Sequence, residues 1–593
     1  MNKLLITLIL LPFVYVCSGQ TRLSLTVLDY KTKEPLIYCN VAVVGKNVGG
    51  ITNSEGKIII KAEQNDFVAF SHIGYKTKKI SVEALEKCGV VYLEQESTLL
   101  GEVTVIADKN YLYDVVDKCR AKLLANKNQF LTKAYYAIET ESGKTKTPVE
   151  FLECYYNATI KGVNIEQLSF KNGRVGLAAD SGNYFLSMET SKAIADIELL
   201  KNKNNFPLLP LQCNKRNLKN KFDLELRGVI SNLFHIGFQP FNSDTSCFSG
   251  EIWIEKETYN IVKINFNVVN TRIHPFTTIY PSSNDAIHNL SLDITHRFRL
   301  VDDNSVLELI NFEYSFEYES IRDSIFFIRD ARLYKRGVFS KSTLYFYDIN
   351  NPFILPYFTY DESISDYQKL SVIPYNTLFW NQDNGMLLSK KQKENLGYFE
   401  NKGNLINFEK LDARKLYNDS SARETFFEGN YYFWSRDKRV LVTFPDRPDS
   451  KFKSNHLQSD LYNLKAQILL DINEYHDSLF CRSLTVFDTP ESYYMLPKDS
   501  LTDPFINIFF DICEIERQKL QAELDQRQYT IPEIDKIYSE TVAQMDKITY
   551  EFLREVQRGH KEQAFRRWNE YVLKELGIDN IEMAMETYKE KSN

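Results

Sequence analysis

Three histidines, His274, His288 and His296, stand close together in a chain that has eight histidines in all. Three imidazole nitrogens could hold a transition metal such as zinc. Residues 290–298 have the pattern of a strand, however, and eight residues of strand between His288 and His296 span about 26 Å. The two rings therefore meet only if a turn intervenes, and we predict no metal site at these histidines.

A second group of candidate metal ligands is acidic. Calcium prefers oxygen ligands, and several side-chain oxygens stand in the short polar stretch that contains Asp471, Asn473, Glu474, His476 and Asp477. The EF-hand pattern fails here, because Tyr475 stands at a ligand position and His476 stands where glycine would turn the chain. We predict a solvated hairpin tip at this place and no metal-binding residues in the chain.

Local motifs of the common enzyme classes are missing from the sequence. We find no Gly-x-Ser-x-Gly elbow, no phosphate loop, no His-Glu-x-x-His and, among nine cysteines, no Cys-x-x-Cys. We therefore predict no catalytic residues, no cofactor-binding residues and no cofactor. One enzymatic alternative stays open: a hydrolase of glycans can act through two carboxylates that share no local motif.

The first residues of the chain have the pattern of a secretory signal. Met1-Asn2-Lys3 supplies a positive charge, an apolar stretch follows, and small residues stand near Gly19. We expect cleavage near Gly19 and export to the periplasm or to the periphery of the outer membrane. Lipidation at Cys17 is not expected, because Tyr15 and Val16 are too bulky for the usual lipobox.

Charge and hydropathy exclude two further classes. The formal net charge is −7, which argues against nucleic acid as a partner. No segment after the signal approaches the 18 or so apolar residues that a membrane helix needs, so we expect no transmembrane helix in the mature chain.

The elements that would position these residues begin with a small β-sandwich over residues 20–106. Leu23, Leu25 and Val27 alternate with polar residues, which is the period of a strand with one buried face. Glycines at positions 49, 50 and 56 favour a tight hairpin, and about seven short strands follow in all, the number of an Ig-like sandwich.

This segment resembles the carboxypeptidase-like regulatory domain, a transthyretin-like sandwich of exported Bacteroidota proteins. The matching motifs are Glu34-Pro35-Leu36, Asn40-Val41, Thr52-Asn53-Ser54-Glu55-Gly56, Ser71-His72-Ile73-Gly74-Tyr75 and Leu100-Gly101-Glu102-Val103-Thr104-Val105. The resemblance implies an envelope protein, since such domains often precede TonB-dependent transporters or front other secreted proteins. It does not imply a peptidase, because no histidine of the chain begins the His-x-x-Glu pair of a zinc carboxypeptidase.

The rest of the chain is predicted to be mainly β with a helical end. We expect a linker helix over residues 107–130, a large antiparallel curved sheet over 131–350, a mixed loop and strand region over 351–500 and a helical region over 501–593. The clearest hairpin lies at residues 250–264. Its type resembles the hairpins of the periplasmic lipoprotein carrier, whose curved sheet encloses an apolar groove.

Two local patterns in the second half of the chain allow alternatives. Phe379 and Trp380 are predicted to plug a core, with a recognition surface as the alternative. Thr530 and Glu533 form a capping box that begins an amphipathic helix, and Gly577 ends the next helix. These helices are expected to pack within the protein, with docking to a partner as the alternative.

Together these patterns predict an exported envelope protein with a binding, scaffold or assembly role at the outer membrane. Its expected partner is an outer-membrane or periplasmic protein. The alternatives are a periplasmic carrier that uses the central sheet for a lipid or glycan and the motif-less glycan hydrolase.

Overall fold

The computed structural model describes residues 21–46, 48–96, 110–178, 194–242, 245–276, 285–322, 332–360, 366–370, 373–380, 386–402, 404–406, 431–442, 462–475, 478–496, 498–557 and 560–585. The chain folds into two compact units. The first contains the N-terminal sandwich with residues 228–233 and 386–393, and the second contains the other described residues from Asn110 onward. The predicted signal peptide, Cys17, Gly19 and the motif at residues 100–105 lie outside the described residues.

The first unit is the predicted seven-stranded sandwich. One sheet has the order β4-β1-β7, with β1 Thr21–Asp29, β4 Lys57–Ala62 and β7 Val90–Leu93. The other has the order β3-β2-β5-β6, with β2 Asn40–Val43, β3 Gly49–Ile51, β5 Phe67–Ser71 and β6 Lys78–Ser81. The alternating residues Leu23, Leu25 and Val27 are buried between the sheets, which confirms the predicted period. A short helix, α1 Val82–Cys88, was not predicted and ends at Gly89 with φ 61°.

The second unit begins with helix α2, Asn110–Ala125, and is built around an eleven-stranded sheet. Its strand order is β11-β12-β13-β14-β15-β16-β17-β8-β9-β10-β18. The strands are β8 Gln129–Ser142, β9 Thr147–Lys161, β10 Asn164–Leu177, β11 Phe222–Ile230, β12 Leu233–Pro240, β13 Ser249–Glu255, β14 Ile261–Thr271, β15 Asp285–Val301, β16 Asn304–Arg322, β17 Arg332–Tyr347 and β18 Asn404–Ile406. The predicted large antiparallel sheet is thereby confirmed.

The strand register defines two faces of this sheet. One row of paired residues across six strands runs through Ile264, His296, Ile310, Leu344, Tyr136 and Cys154. The neighbouring row runs through Lys263, Arg297, Leu309, Tyr345, Tyr135 and Tyr155. Because successive side chains of a strand point to opposite sides, these rows lie on opposite faces, which we call the apolar face and the polar face.

Side chains of the same unit pack on the apolar face. Helix α2 buries the residues whose spacing predicted it, Leu112, Val115, Val116, Cys119 and Leu123. Phe276 packs against Phe312 and Phe206, with ring centroids 5.8 and 6.1 Å away. A cavity beside Phe206 and Phe248 has a volume of about 10 Å³, the space of one water.

In the described ranges, four further helices were not predicted from the strand and turn signals. The first lies between β10 and β11, and the other three follow β17. They are α3 Lys215–Lys221, α4 Asp366–Leu370, α5 Thr377–Trp380 and α6 Lys390–Lys402. Two small sheets follow, β19-β22-β21 and β20-β23, with β19 Tyr431–Phe433, β20 Tyr462–Asn463, β21 Ala466–Tyr475, β22 Ser478–Asp488 and β23 Tyr493–Tyr494.

The C-terminal helices are α7 Thr502–Leu524, α8 Ile531–Val556 and α9 Glu562–Leu576. The capping box of Thr530 and Glu533 and the left-handed Gly577 are present as predicted. Helix α7 is buried all round from Pro504 to Glu516 rather than on one stripe. None of the helices in the described residues is both long enough and apolar enough to cross a membrane.

The polar stripe of α7 is buried and paired. Asn507 exchanges hydrogen bonds with the backbone N–H and C=O of Val440, each at 2.9 Å. Asp511, which is 0% exposed, accepts hydrogen bonds from Trp434 Nε1 at 2.7 Å, Arg439 Nη2 at 2.6 Å and Asn580 Nδ2 at 2.7 Å. The helix therefore uses its polar residues to hold the chain segments around it.

Candidate functional site

The polar face of the large sheet carries the densest group of chemically capable side chains. Tyr135 Oη donates to Glu153 Oε1 at 2.7 Å, and Arg174 Nε donates to Glu153 Oε2 at 2.5 Å. Glu153 is 2% exposed and sits between its two donors. Burial raises the pKa of Tyr135 well above its usual range, and the neighbouring Glu153 charge raises that pKa further. Tyr135 therefore stays protonated and donates to Glu153.

Aromatic side chains close this part of the polar face. The Tyr155 ring has its centroid 5.1 Å from that of Phe379, 5.6 Å from Trp380 and 6.2 Å from Phe353. Arg174 lies over the Trp380 ring, 4.3 Å from its centroid. Phe379 is buried, as expected of a core plug. The Trp380 indole N–H is also buried and has no hydrogen-bond acceptor.

A buried lysine in β10 forms a second polar centre. The register of β9 with β10 slips between Phe170 and Asn172, so Lys171 is the extra residue of a β-bulge. Its Nζ donates to Asp471 Oδ1 at 2.5 Å, Ile354 O at 2.7 Å and Ile472 O at 3.1 Å. Burial lowers the pKa of Lys171, and the Asp471 charge acts in the opposite direction.

The geometry of Lys171 suits a cross-link better than a reacting group. An ammonium group has three N–H donors, and all three have acceptors here. Asp471 is equally occupied, since its Oδ2 accepts from Asn376 Nδ2 at 2.6 Å and Asn473 Nδ2 at 3.0 Å. The centre therefore ties β10, β21 and α5 together through hydrogen bonds that leave no free donor on the lysine.

This result corrects the prediction of a solvated tip for part of the acidic stretch. Asp471 and Asn473 are 6% and 5% exposed, because residues 468–473 of β21 are buried on both faces of the strand. Only Glu474 and Tyr475 are exposed at the end of the predicted hairpin of β21 and β22. His476 and Asp477 lie outside the described residues.

The three clustered histidines do not come together. His288 and His296 are both in the continuous strand β15, so no turn brings their rings to one place. His274 stacks on Phe276 with ring centroids 5.8 Å apart, and burial lowers its pKa. Within the described ranges, no three histidine, cysteine, aspartate or glutamate side chains are grouped closely enough to hold a metal ion.

His296 is the most unusual of these histidines. It is 1% exposed, lies on the apolar face with its ring 5.3 Å from that of Phe266, and neither ring nitrogen has a hydrogen-bond partner. Burial lowers its pKa from 6.5 to about 3. The imidazole is therefore neutral at any physiological pH.

The motif residues of the sandwich hold its turns. Tyr75 Oη donates to Asp29 Oδ2 at 2.8 Å, and backbone N–H groups of Lys31 and Thr32 donate to Asp29 Oδ1 at 2.6 and 2.8 Å. The hydrogen bond from Thr32, followed by that from Tyr75, is the main cause that lowers the Asp29 pKa to about 2. Thr52 Oγ1 donates to Leu36 O at 2.5 Å and accepts from the Cys39 N–H at 2.8 Å.

Asn53 gives a first testable prediction for this turn. Its Oδ1 accepts hydrogen bonds from the backbone N–H groups of Glu55 and Lys57, each at 2.9 Å. We expect Asn53→Ala to destabilise the sandwich by about 1 kcal/mol and to speed hydrogen exchange at these two amides. Ser54→Ala, at an exposed neighbouring position, is the control and should leave the exchange unchanged. Equal exchange in both variants would contradict the assigned role of Asn53.

Sequence reasoning missed Lys171, Arg174 and Asp511 as structural centres. The signal that could have found them is a charged residue at a position where the surrounding pattern calls for an apolar one. Strand β10 has irregular register at two places, which breaks the alternation that identifies a strand. Asp511 interrupts the apolar run Ile508-Phe509-Phe510 and Ile512-Cys513. An isolated acid in such a run is buried only when paired, so it indicates a partner elsewhere in the chain.

Comparison with known proteins defines the class of the N-terminal module. Residues 24–105 match the CarboxypepD_reg-like domain, which confirms the family resemblance for this part of the chain. Over 75 residues the chain is 37% identical to the TonB-dependent receptor SusC of Bacteroides thetaiotaomicron. The match covers 13% of this chain and 7% of the receptor, so the chain spans only a small part of the length of this curated relative.

Solved structures with partial likeness cover a little under half of the chain. They include a LolA superfamily protein of Nitrosomonas europaea (10% identity, 43% of this chain, 97% of that chain, TM-score 0.15). Another is a domain from Vibrio parahaemolyticus described as a putative outer membrane lipoprotein-sorting protein. It has 8% identity and a TM-score of 0.16, and the match covers 44% of this chain and 97% of that chain. A DUF1329 family protein of Desulfovibrio piger gives 9% identity, 44% and 96% coverage and TM-score 0.17. Scores this low carry no functional argument.

Proposed function

We propose that the protein is a non-catalytic binding or assembly component of the bacterial cell envelope, acting at the outer membrane with a protein partner. The N-terminal module is 37% identical over 75 residues to a segment of a TonB-dependent receptor, which supports the proposed location at the outer membrane. The same module also precedes other kinds of exported protein. We therefore propose that this chain binds a separate partner protein and does not itself form a transporter.

One observation carries the non-catalytic part of the proposal: three buried carboxylates of the second unit are each held in an ion pair within the fold. Lys171 pairs with Asp471, Glu153 with Arg174 and Asp511 with Arg439. Each carboxylate accepts at least two hydrogen bonds, and the pairs with Lys171 and Arg439 join segments far apart in the sequence. A general acid or base must exchange a proton with a substrate, whereas these buried carboxylates already accept from donors of the protein itself.

The packing of the apolar face bears on the carrier alternative. A pocket for a lipid or another ligand of drug size needs about 300 Å³ or more. The cavity beside Phe206 and Phe248 holds about 10 Å³, so this cavity is too small for such a ligand. In the described residues α2 contacts strand β13, and Phe206 and Phe276 pack against Phe312 on the apolar face. A carrier role would require these elements to leave the sheet, so the assembly role is the better supported of the two.

Site-specific photo-cross-linking in the native envelope tests the proposal. A photo-reactive amino acid would be placed at Phe67 of the sandwich, 53% exposed, or at Tyr550 of α8, 65% exposed. We expect at least one position to capture a single outer-membrane or periplasmic protein. The buried Tyr136, 0% exposed, is the matched control and should capture none. Recovery of the protein alone from every exposed position, or with bound lipid in place of protein, would contradict the assembly role.

A further inference from the structure

Three cations lie side by side on the polar face of β14 and β15. Lys263 is directly opposite Arg297 in the strand register, and Arg299 is two residues further along β15 on the same face. Like charges directly opposite each other on a sheet repel. Burial lowers the pKa of Lys263, and repulsion from Arg297 lowers it further. The net charge of the whole protein is negative, so this local excess of positive charge has the opposite sign.

Only one of the three cations has a carboxylate partner close by. Arg297 Nη2 donates to Glu308 Oε2 at 2.9 Å. Lys263 lies over the Trp253 ring, 4.7 Å from its centroid, and feels the charges of Glu251 and Asp293 only from a greater distance. Among the residues that the structure describes, neither Lys263 nor Arg299 has a carboxylate oxygen within 4 Å.

Arg299 has the least satisfied side chain of the three. Its Nε and Nη2 atoms are both buried and neither has a hydrogen-bond acceptor. These two N–H groups form the edge of a guanidinium that binds phosphate or carboxylate through two parallel hydrogen bonds. Leaving such donors without an acceptor is unfavourable, so this edge is prepared for a group that brings oxygen atoms and negative charge.

Aromatic side chains lie beside the cations, with Trp253 under Lys263 and Tyr345 near Arg297 and Arg299. His235 stacks on Trp253 with ring centroids 4.4 Å apart, and Tyr345 stacks on Tyr347 with centroids 5.6 Å apart. The Tyr347 hydroxyl is buried and has no partner. These rings shield the basic residues from water and so strengthen their attraction for an anion.

We propose that Lys263 and Arg299, beside the Arg297–Glu308 pair, form a binding site for an oxyanion of the phosphate or carboxylate class. The anion would accept from the Nε and Nη2 of Arg299 and from the Lys263 ammonium, and it would relieve the repulsion between Lys263 and Arg297. Such an anion can come from a soluble ligand or from a lipid headgroup. The site is independent of the partner protein proposed above.

Thermal unfolding of the full chain in inorganic phosphate, against chloride at equal ionic strength, tests the site. Equal ionic strength separates binding from screening. We expect phosphate to raise the unfolding temperature of the native protein and the double variant Lys263→Gln/Arg299→Gln to bind phosphate about tenfold more weakly or worse. Lys341→Gln removes an exposed cation of the same face, which pairs with Glu313, and should behave as the native protein does.

A second measurement identifies the source of the anion. Flotation with phosphatidylglycerol vesicles, against phosphatidylcholine vesicles, should recover the native protein if the anion is a lipid headgroup and not if it is soluble. Because the double variant loses a repulsion, we expect it to fold and to unfold at no lower a temperature than the native protein without phosphate. Equal phosphate responses of native protein and double variant, or no response to phosphate and to vesicles by the native protein, would overturn the proposal.

Discussion

Replacing Lys171 by methionine should cost the second unit about 3–5 kcal/mol of unfolding free energy, since breaking one partner out of a buried ion pair leaves the other charge uncompensated. Asp471 would keep its two asparagine donors but would lose the ammonium at 2.5 Å. The carbonyl groups of Ile354 and Ile472 would lose their hydrogen bonds at the same time. Urea unfolding monitored by tryptophan fluorescence measures the change.

The design includes a control and a rescue for Lys171. Lys341→Met removes an exposed lysine from β17 of the same sheet and should change stability by less than about 0.5 kcal/mol. The double variant Lys171→Met/Asp471→Leu should recover only part of the loss, because it removes the uncompensated charge but leaves Asn376, Asn473 and the two carbonyl groups without their partners. A single variant as stable as the native protein would show that the pair is not a cross-link.

Acid should destabilise the second unit through His296. The pKa of this residue is about 3 in the fold and 6.5 for an ordinary histidine, so the unfolded state binds one more proton between these values. Stability is therefore complete above pH 6.5 and falls as the pH drops, by about 1.4 kcal/mol per pH unit, until pH 3 is reached. At pH 4 the loss due to His296 alone is about 3 kcal/mol.

His296→Leu separates this contribution from that of the carboxylates. Leucine removes the two unpartnered ring nitrogens and cannot bind a proton. The stability of the variant relative to that of the native protein should therefore increase as the pH is lowered. Urea midpoints at pH 7.5, 6, 5 and 4, with hydrogen exchange of β15, would show the gap widen. His288→Gln, at a half-exposed position in the same strand, is the control. Parallel pH profiles for the native protein and His296→Leu would contradict the prediction.

The sequence predicted best those elements that repeat a local pattern. The alternation of Leu23, Leu25 and Val27, the hairpin at residues 250–264 and the capping box at Thr530 all follow from a few neighbouring residues, and all are present. Strand β10 was missed because its two bulges disturb the alternation. The short helices after β17 were missed because their residues are held by distant contacts, such as that of Asn376 with Asp471.

The candidate sites were harder to predict than the fold. Neither the Lys171 centre nor the cations of the polar face has a sequence motif, since their members come from strands that pair only in the folded sheet. Lys263 and Arg297 are neighbours through strand register, and register depends on every residue of both strands. The sequence did predict that Phe379 plugs a core, because a large apolar residue in a turn-rich segment must find a buried place.

The three side-chain donors to Asp511 become available in a fixed order while the chain is synthesised. Trp434 and Arg439 precede helix α7 in the chain, and both are available when the helix leaves the ribosome. Asn580 is made 69 residues after Asp511 and supplies the third donor. A chain emerging from its N-terminus can therefore dock α7 early, but the buried carboxylate is fully satisfied only once the segment after α9 has folded back. A nascent chain that stops short of Asn580 is consequently expected to be a better substrate for quality-control proteases than one that has passed it.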